Sequence, residues 1–225
     1  MKTATAQLEF KRHAGWGGRR MNAGRHPKGE QAGVSHATRP QHQAAHPVHV
    51  TLRALAVVGC LRDCPVFNAL FDALAAASTD AFRVAHFSIQ ENHLHLIVEA
   101  HDRHTFVRGM QGLAIRTARA INRAIGRKGK VWADRYHARE LRTPREVRNA
   151  LVYVLQNWKK TVPGAEHLDS CATGFWFDGW KGPRPRWSLT SQPPPVRAAR
   201  TWLLTTGWRR HGLIGFDEHL RPEPR

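Results

Sequence analysis

The sequence predicts an α+β fold: one four-stranded antiparallel sheet with two helices on one face and an additional helix after the fourth strand. Three observations predict it. Apolar residues alternate with polar ones in four short stretches, the two-residue period of a half-buried strand. Apolar residues recur at helical spacing in three longer stretches. The order of these stretches is strand, helix, strand, strand, helix, strand, helix, and the first six form a split β-α-β arrangement of the ferredoxin-like or RRM-like kind.

Each element has its own signal. In "HPVHVTLRAL", Val48, Val50 and Leu52 alternate with His49, Thr51 and Arg53, which makes the first strand. "CPVFNALFDALAAAS" has helical spacing and is rich in the good helix formers Ala and Leu. "AFRVAHFSIQ" and "HLHLIVEA" are the second and third strands. "DRHTFVRGMQGLAIRTARAINRAIG" is a long helix, with Gly126 placed to stop it. "VWADRYHAREL" is the fourth strand. The last helix, "TPREVRNALVYVLQNWKKT", opens with Thr143 as N-cap and Pro144 at its first position, and stops near Val162 and Pro163.

Three segments follow. Residues 1–45 are rich in Gly, Arg, His, Gln and Ala and hold few large aliphatics, so they cannot offset the entropy of ordering. They read as a flexible basic arm. Residues 46–162 hold the predicted elements. Residues 163–225 carry five of the eight tryptophans among many Pro, Gly and Arg, with one short helix expected in "VRAARTWLLTTGW". This extension has no periodic core of its own and is expected to pack back on the domain.

Composition narrows the function. The chain has 225 residues with 35 Lys and Arg against 17 Asp and Glu, a formal net charge of +18. Such an excess costs self-repulsion and marks an acidic polymer, nucleic acid first, as partner. No apolar run reaches the length of a membrane span, and the N-terminus lacks the apolar stretch of a signal peptide, so a cytoplasmic, nucleoid-associated location is expected. Cys60, Cys64 and Cys171 are too few and too irregular for a disulfide framework, and are expected to be small buried residues.

The chemistry centres on the third strand. There Leu94, Leu96 and Val98 point to the helices, so His93, His95, Ile97 and Glu99 point to the other face, expected to be open. Two imidazoles whose roots are about 6–7 Å apart by strand geometry can share a divalent cation. The final helix carries Tyr153, with Asn157 one turn later on the same face. A phenol beside a cation-bound phosphate is a nucleophile in waiting, and Asn157 offers either a third ligand or a hydrogen bond. Taken singly, the His pair is also what a half-exposed strand presents, and Tyr153 with Asn157 what an amphipathic helix shows at a core edge. Cations for phosphate contact are Arg53 on the first strand, then Arg116, Arg119, Arg123, Arg127, Lys128 and Lys130 along the second helix and its exit. Arg135, Arg139 and Arg142 follow on or after the fourth strand, and Lys159 and Lys160 end the tyrosine helix.

In combination these stretches resemble a known family. "ENHLHLIVE" resembles the His-hydrophobic-His motif of the HUH endonucleases, and "YVLQN" the tyrosine helix of their single-tyrosine (IS200-like) transposases. "HVTLR", "GKVWADRYHAREL" and "YVLQNWKK" come in that family's order and separations, and the basic arm and extension are most similar to the REP-associated tyrosine transposases. The resemblance covers about residues 46–162. It implies cleavage of single-stranded or hairpin-forming repeat DNA by Tyr153, a 5′-phosphotyrosine intermediate, and Mg²⁺ or Mn²⁺ held by His93, His95 and Asn157. It implies a monomer or a homodimer. Asn157 departs from the Gln, His or acid found in relatives, and "NWKK" replaces their usual "NP". The alternative is a non-catalytic nucleic-acid-binding protein on the same fold.

Overall fold

The computed structural model describes residues 42–160, 167–182 and 193–218. Of the expected basic arm, residues 1–41 lie outside the described residues, as do 161–166, 183–192 and 219–225 around and within the extension. The sheet contains β1 (Val48–Arg53), β2 (Phe82–Ile89), β3 (His93–Ala100) and β4 (His137–Glu140) in the order β2-β3-β1-β4. Each neighbouring pair is antiparallel. The helices α1 (Cys64–Ala75) and α2 (Arg103–Ala124) connect them, and α3 (Pro144–Gln156) follows β4. This is the split β-α-β sandwich expected from the sequence.

The first core forms because β1 and β3 alternate. Val50, Leu52, Leu94, Leu96 and Val98 meet Leu70 and Leu74 of α1 and Met110, Leu113 and Ile121 of α2. Past the end of α2, Gly126 takes φ 64°, the left-handed conformation that only glycine adopts without strain. Thr143 caps α3 as expected: its hydroxyl accepts from Glu146 N, while Glu146 reaches back to Thr143 N, a complete capping box.

Three expectations need correction. The fourth strand is shorter than "VWADRYHAREL". Val131 and Trp132 are buried in the first core instead, and the Trp132 indole donates to Ala114 O at 3.1 Å. Of the cysteines only Cys171 is buried; Cys60 is half-buried and Cys64 is exposed at the first position of α1. Most important, the second sheet face is not open along its length. There α3 packs against β2 and β3, and the extension completes a second core of Ala85, Ile97, Leu151, Val154, Trp180 and Trp208. The cause is area. Each large aromatic removes about 150–250 Å² from water, roughly 4–6 kcal/mol gross at about 25 cal/mol per Å². A segment so rich in tryptophan gains more on a protein face than in solvent. The fit is close: a Cβ on Gly179 would lie 2.2 Å from the Trp208 ring.

Polar contacts fix the extension. The Arg62 guanidinium grips Asp169 through two bonds of 2.7 and 2.9 Å. Ile89 N donates to Cys171 O at 2.8 Å and Arg197 N to Val84 O at 3.0 Å, so backbone of the extension covers the outer edge of β2. The helix α4 (Trp202–Thr205), within the expected "VRAARTWLLTTGW", is held at its N-cap by a buried carboxylate of β3. Glu99 accepts from Arg83 Nε at 3.1 Å, Arg200 N at 2.9 Å, Thr201 N at 2.8 Å and Thr201 Oγ1 at 2.7 Å.

Glu99 is 1% exposed and Arg83 4%. Removing one partner of a buried pair strands the other charge, at a cost of about 3–5 kcal/mol. The substitution Glu99→Ala is therefore expected to lower the free energy of urea unfolding by that amount. A loss below about 1 kcal/mol would show that the clamp does not hold the second core.

Candidate active site

On the α3 side of the sheet four rings gather. His93 and His95 lie edge to face with centroids 4.6 Å apart, as their shared face of β3 requires. Tyr153 reaches them from α3, its ring 4.9 Å from that of His95. The fourth ring is His49 of β1, 5.3 Å from His95 and 5.6 Å from Tyr153. Antiparallel register explains the meeting, since Thr51 lies opposite His95 and Arg53 opposite His93. The apolar stripe of α3, with Val147, Leu151, Val154 and Leu155 buried, turns Tyr153 to the edge of the second core.

Hydrogen bonds orient the imidazoles. His93 Nδ1 lies 2.7 Å from Asn92 Oδ1, an acceptor, so Nδ1 carries the proton and Nε2 the lone pair. His95 Nδ1 lies 3.1 Å from Thr51 Oγ1 and 3.3 Å from His49 Nε2. Its Nε2 is buried. Two imidazoles on one face, each with Nδ1 engaged by a neighbour, suit a divalent cation. Asn157 is buried one turn beyond Tyr153, where α3 passes into the 3-10 turn Asn157–Lys160. Among the described residues no group of three His, Cys, Asp or Glu side chains stands at metal-binding spacing.

Burial sets the protonation states. Desolvation raises the Tyr153 phenol above its ordinary value, so it is held as the neutral phenol at neutral pH. The His49 imidazole falls to about 4, chiefly by burial, with His137 and Arg139 adding to the shift.

The expected DNA contacts divide between the two sides of the sheet. Arg53 is exposed beside the His pair. Arg139 lies opposite His49 and pairs with Glu146 at 3.0 Å, and Arg135 is half-buried in the approach to β4. Arg116, Arg119 and Arg123 line a groove of about 630 Å³ between α1 and α2, on the helix side and away from Tyr153. Lys128 is exposed after α2, while Lys130 Nζ donates to Ala133 O at 2.7 Å. Lys159 Nζ donates to Phe216 O, and the side chain of Lys160 lies outside the described residues. His49 was not singled out from the sequence. Alternation put it with Thr51 and Arg53, but only strand register brings it to His95.

The geometry is that of a sheet-borne histidine pair facing a tyrosine helix. Residues 68–157 match the family model described as "Transposase IS200 like", a stretch that runs from α1 to Asn157. Over those residues, fewer than half of the chain, the sequence is similar to that family. A solved structure of a REP-associated tyrosine transposase bound to a REP hairpin matches with a TM-score of 0.47 and 16% identity, over 57% of this chain and 74% of that one. No curated protein matches. Among the described residues no helix is long and apolar enough to cross a membrane.

Buried imidazoles also predict an acid response. His86, beside Phe177 and 3.2 Å from Thr173 Oγ1, falls from 6.5 to about 4 through burial, a shift that Asp178 and Glu99 partly oppose. Between those values the unfolded chain binds a proton that the native chain does not, so stability falls as pH drops from 6.5 toward 4. Above pH 6.5 the effect vanishes. Urea midpoints at pH 7 and pH 4.5 measure it, and His86→Gln is expected to shrink the difference. An unchanged difference would place the acid sensitivity elsewhere.

Proposed function

We propose that this protein cuts and rejoins single-stranded DNA through Tyr153. The observation that carries the reading is the Tyr153 ring set edge-on to His95, within one cluster with His93. The Tyr153 hydroxyl oxygen attacks the scissile phosphorus and loses its proton. The new O–P bond leaves a 5′-phosphotyrosine, and the broken bond releases a 3′-hydroxyl, which takes up a proton. Attack by another 3′-hydroxyl reverses the step and joins strands. One phosphodiester is exchanged for another ester of similar energy, so no nucleotide cofactor is required.

His93, His95 and Asn157 are the residues that would hold Mg²⁺ or Mn²⁺. A bound divalent ion supplies Lewis-acid polarisation of the phosphate. The protein's own contributions are separable. Burial raises the Tyr153 phenol above its ordinary value, and α3 holds it at the sheet. Arg53 on the same face as the His pair offers a phosphate contact. The substrate we propose, hairpin-forming repeat DNA with a flanking single strand, follows the motif resemblance to the REP-associated branch.

The alternative, a DNA-binding protein on this fold without turnover, is favoured by one observation: among the described residues no group of three His, Cys, Asp or Glu side chains stands at metal-binding spacing. One experiment separates the two. Purified protein, Mn²⁺ and a labelled hairpin oligonucleotide with a single-stranded flank are expected to give a protein–DNA species that survives SDS. Tyr153→Phe is expected to abolish it with DNA affinity kept, and His93→Ala with His95→Ala to abolish it without loss of the thermal transition. Retention in Tyr153→Phe, or loss in Tyr136→Phe with folding intact, would show that another group is the nucleophile. No covalent species from the unmodified protein would favour the binding reading.

A further inference from the structure

We infer that His49 is a positioning residue that fixes the tautomer of His95, an inference that rests on the strand-transfer reading of the site. The two ring nitrogens that face each other, His49 Nε2 and His95 Nδ1, are 3.3 Å apart. Two N–H groups at that distance would clash, and two lone pairs would repel in a half-buried site. One nitrogen donates and the other accepts. If His49 donated, the neutral His95 would carry its proton on Nε2 and could not bind a cation there. If His95 donates from Nδ1, its Nε2 keeps the lone pair.

Two features favour the second arrangement, while Thr51 Oγ1, 3.1 Å from the same Nδ1, can accept or donate and fits either one. His93 is set the same way, with Nδ1 facing Asn92 Oδ1, so both histidines of β3 would carry their lone pair on Nε2. The His49 ring also packs against both partners of the chemistry, 5.3 Å from His95 and 5.6 Å from Tyr153, which limits how far either can turn. Register makes the contact dependable: β1 pairs His49 with Ile97 and Thr51 with His95, so the two supporting side chains stand side by side under one imidazole. A group that orients a metal-binding histidine through its other nitrogen typically changes metal affinity about 10- to 100-fold.

The test uses the full chain and two variants. His49→Phe keeps an aromatic ring but cannot accept; His49→Gln restores an acceptor oxygen. In ¹⁵N-histidine-labelled, metal-free protein, long-range ¹H–¹⁵N spectra read the His95 tautomer directly. The unmodified protein and His49→Gln are expected to show the Nδ1–H form, and His49→Phe a mixture. Mn²⁺ affinity, followed by the electron paramagnetic resonance signal of free Mn²⁺, is expected to drop about 10- to 100-fold in His49→Phe and to recover in part in His49→Gln. An Nε2–H tautomer in the unmodified protein, or unchanged tautomer and Mn²⁺ affinity in His49→Phe, would overturn the inference. The strand-transfer reading fails separately, through absence of covalent capture, whatever the tautomer spectra show.

Discussion

The two-residue period of β3 is the constraint on which the rest depends. Leu94, Leu96 and Val98 are all turned to the α1–α2 core, and their burial fixes the register of the strand. The four residues that alternate with them, His93, His95, Ile97 and Glu99, are thereby committed to the other face, where each does something different. Glu99 clamps Arg83 and the N-cap of α4. Ile97 enters the second core. His95 and His93 stand beside Tyr153 and His49. Over eight residues the face changes from structural to chemical. A slip of one residue would bury the histidines among leucines and expose three core positions, so the site is protected by the stability of the first core.

Much of this was legible in the sequence for a physical reason: the signals were local. Alternation in "HVTLR" and "HLHLIVEA", helical spacing in α1 and α2, and the Thr143–Pro144–Glu146 start of α3 all act within one turn or one strand. The pairing of His93 with His95 follows from alternation alone, and that of Tyr153 with Asn157 from helical spacing. What was not legible depended on contacts far apart in the chain. The second core joins Ala85 and Ile97 to Trp180 and Trp208, across segments in which Pro and Gly erase any period. His49 is another case. It is 46 positions from His95, and nothing in "PVHV" distinguishes it from an ordinary half-exposed strand residue.

Charge shows the same division. Arg116, Arg119 and Arg123, expected as phosphate contacts along the second helix, are exposed on α2 on the side of the sheet away from Tyr153. Several other arginines are engaged within the protein: Arg62 with Asp169, Arg83 with Glu99, Arg148 with Glu218, Arg139 with Glu146. Some of the basic excess therefore holds the extension in place, which net charge alone cannot show.

The position of Tyr153 follows from how α3 is seated. A helix turns about 100° per residue, so a rotation by one position would carry the phenol away from the rings of β1 and β3. Two surfaces oppose that rotation. On the inner side Val147, Leu151 and Val154 are buried in the second core with Ile97. On the outer side the extension grips the same helix: Arg148 bonds Glu218 and donates to Gly212 O at 2.9 Å, and Gln156 Nε2 donates to Gly215 O at 2.8 Å. These grips fall near the two ends of α3, five residues before Tyr153 and three after it. Tyr153 meets the His49 and His95 rings edge-on, contacts each worth only about 0.5–1.5 kcal/mol. The aim comes from the packing and hydrogen bonds on either side, which is why a tryptophan-rich extension with no periodic pattern belongs to the architecture of the site.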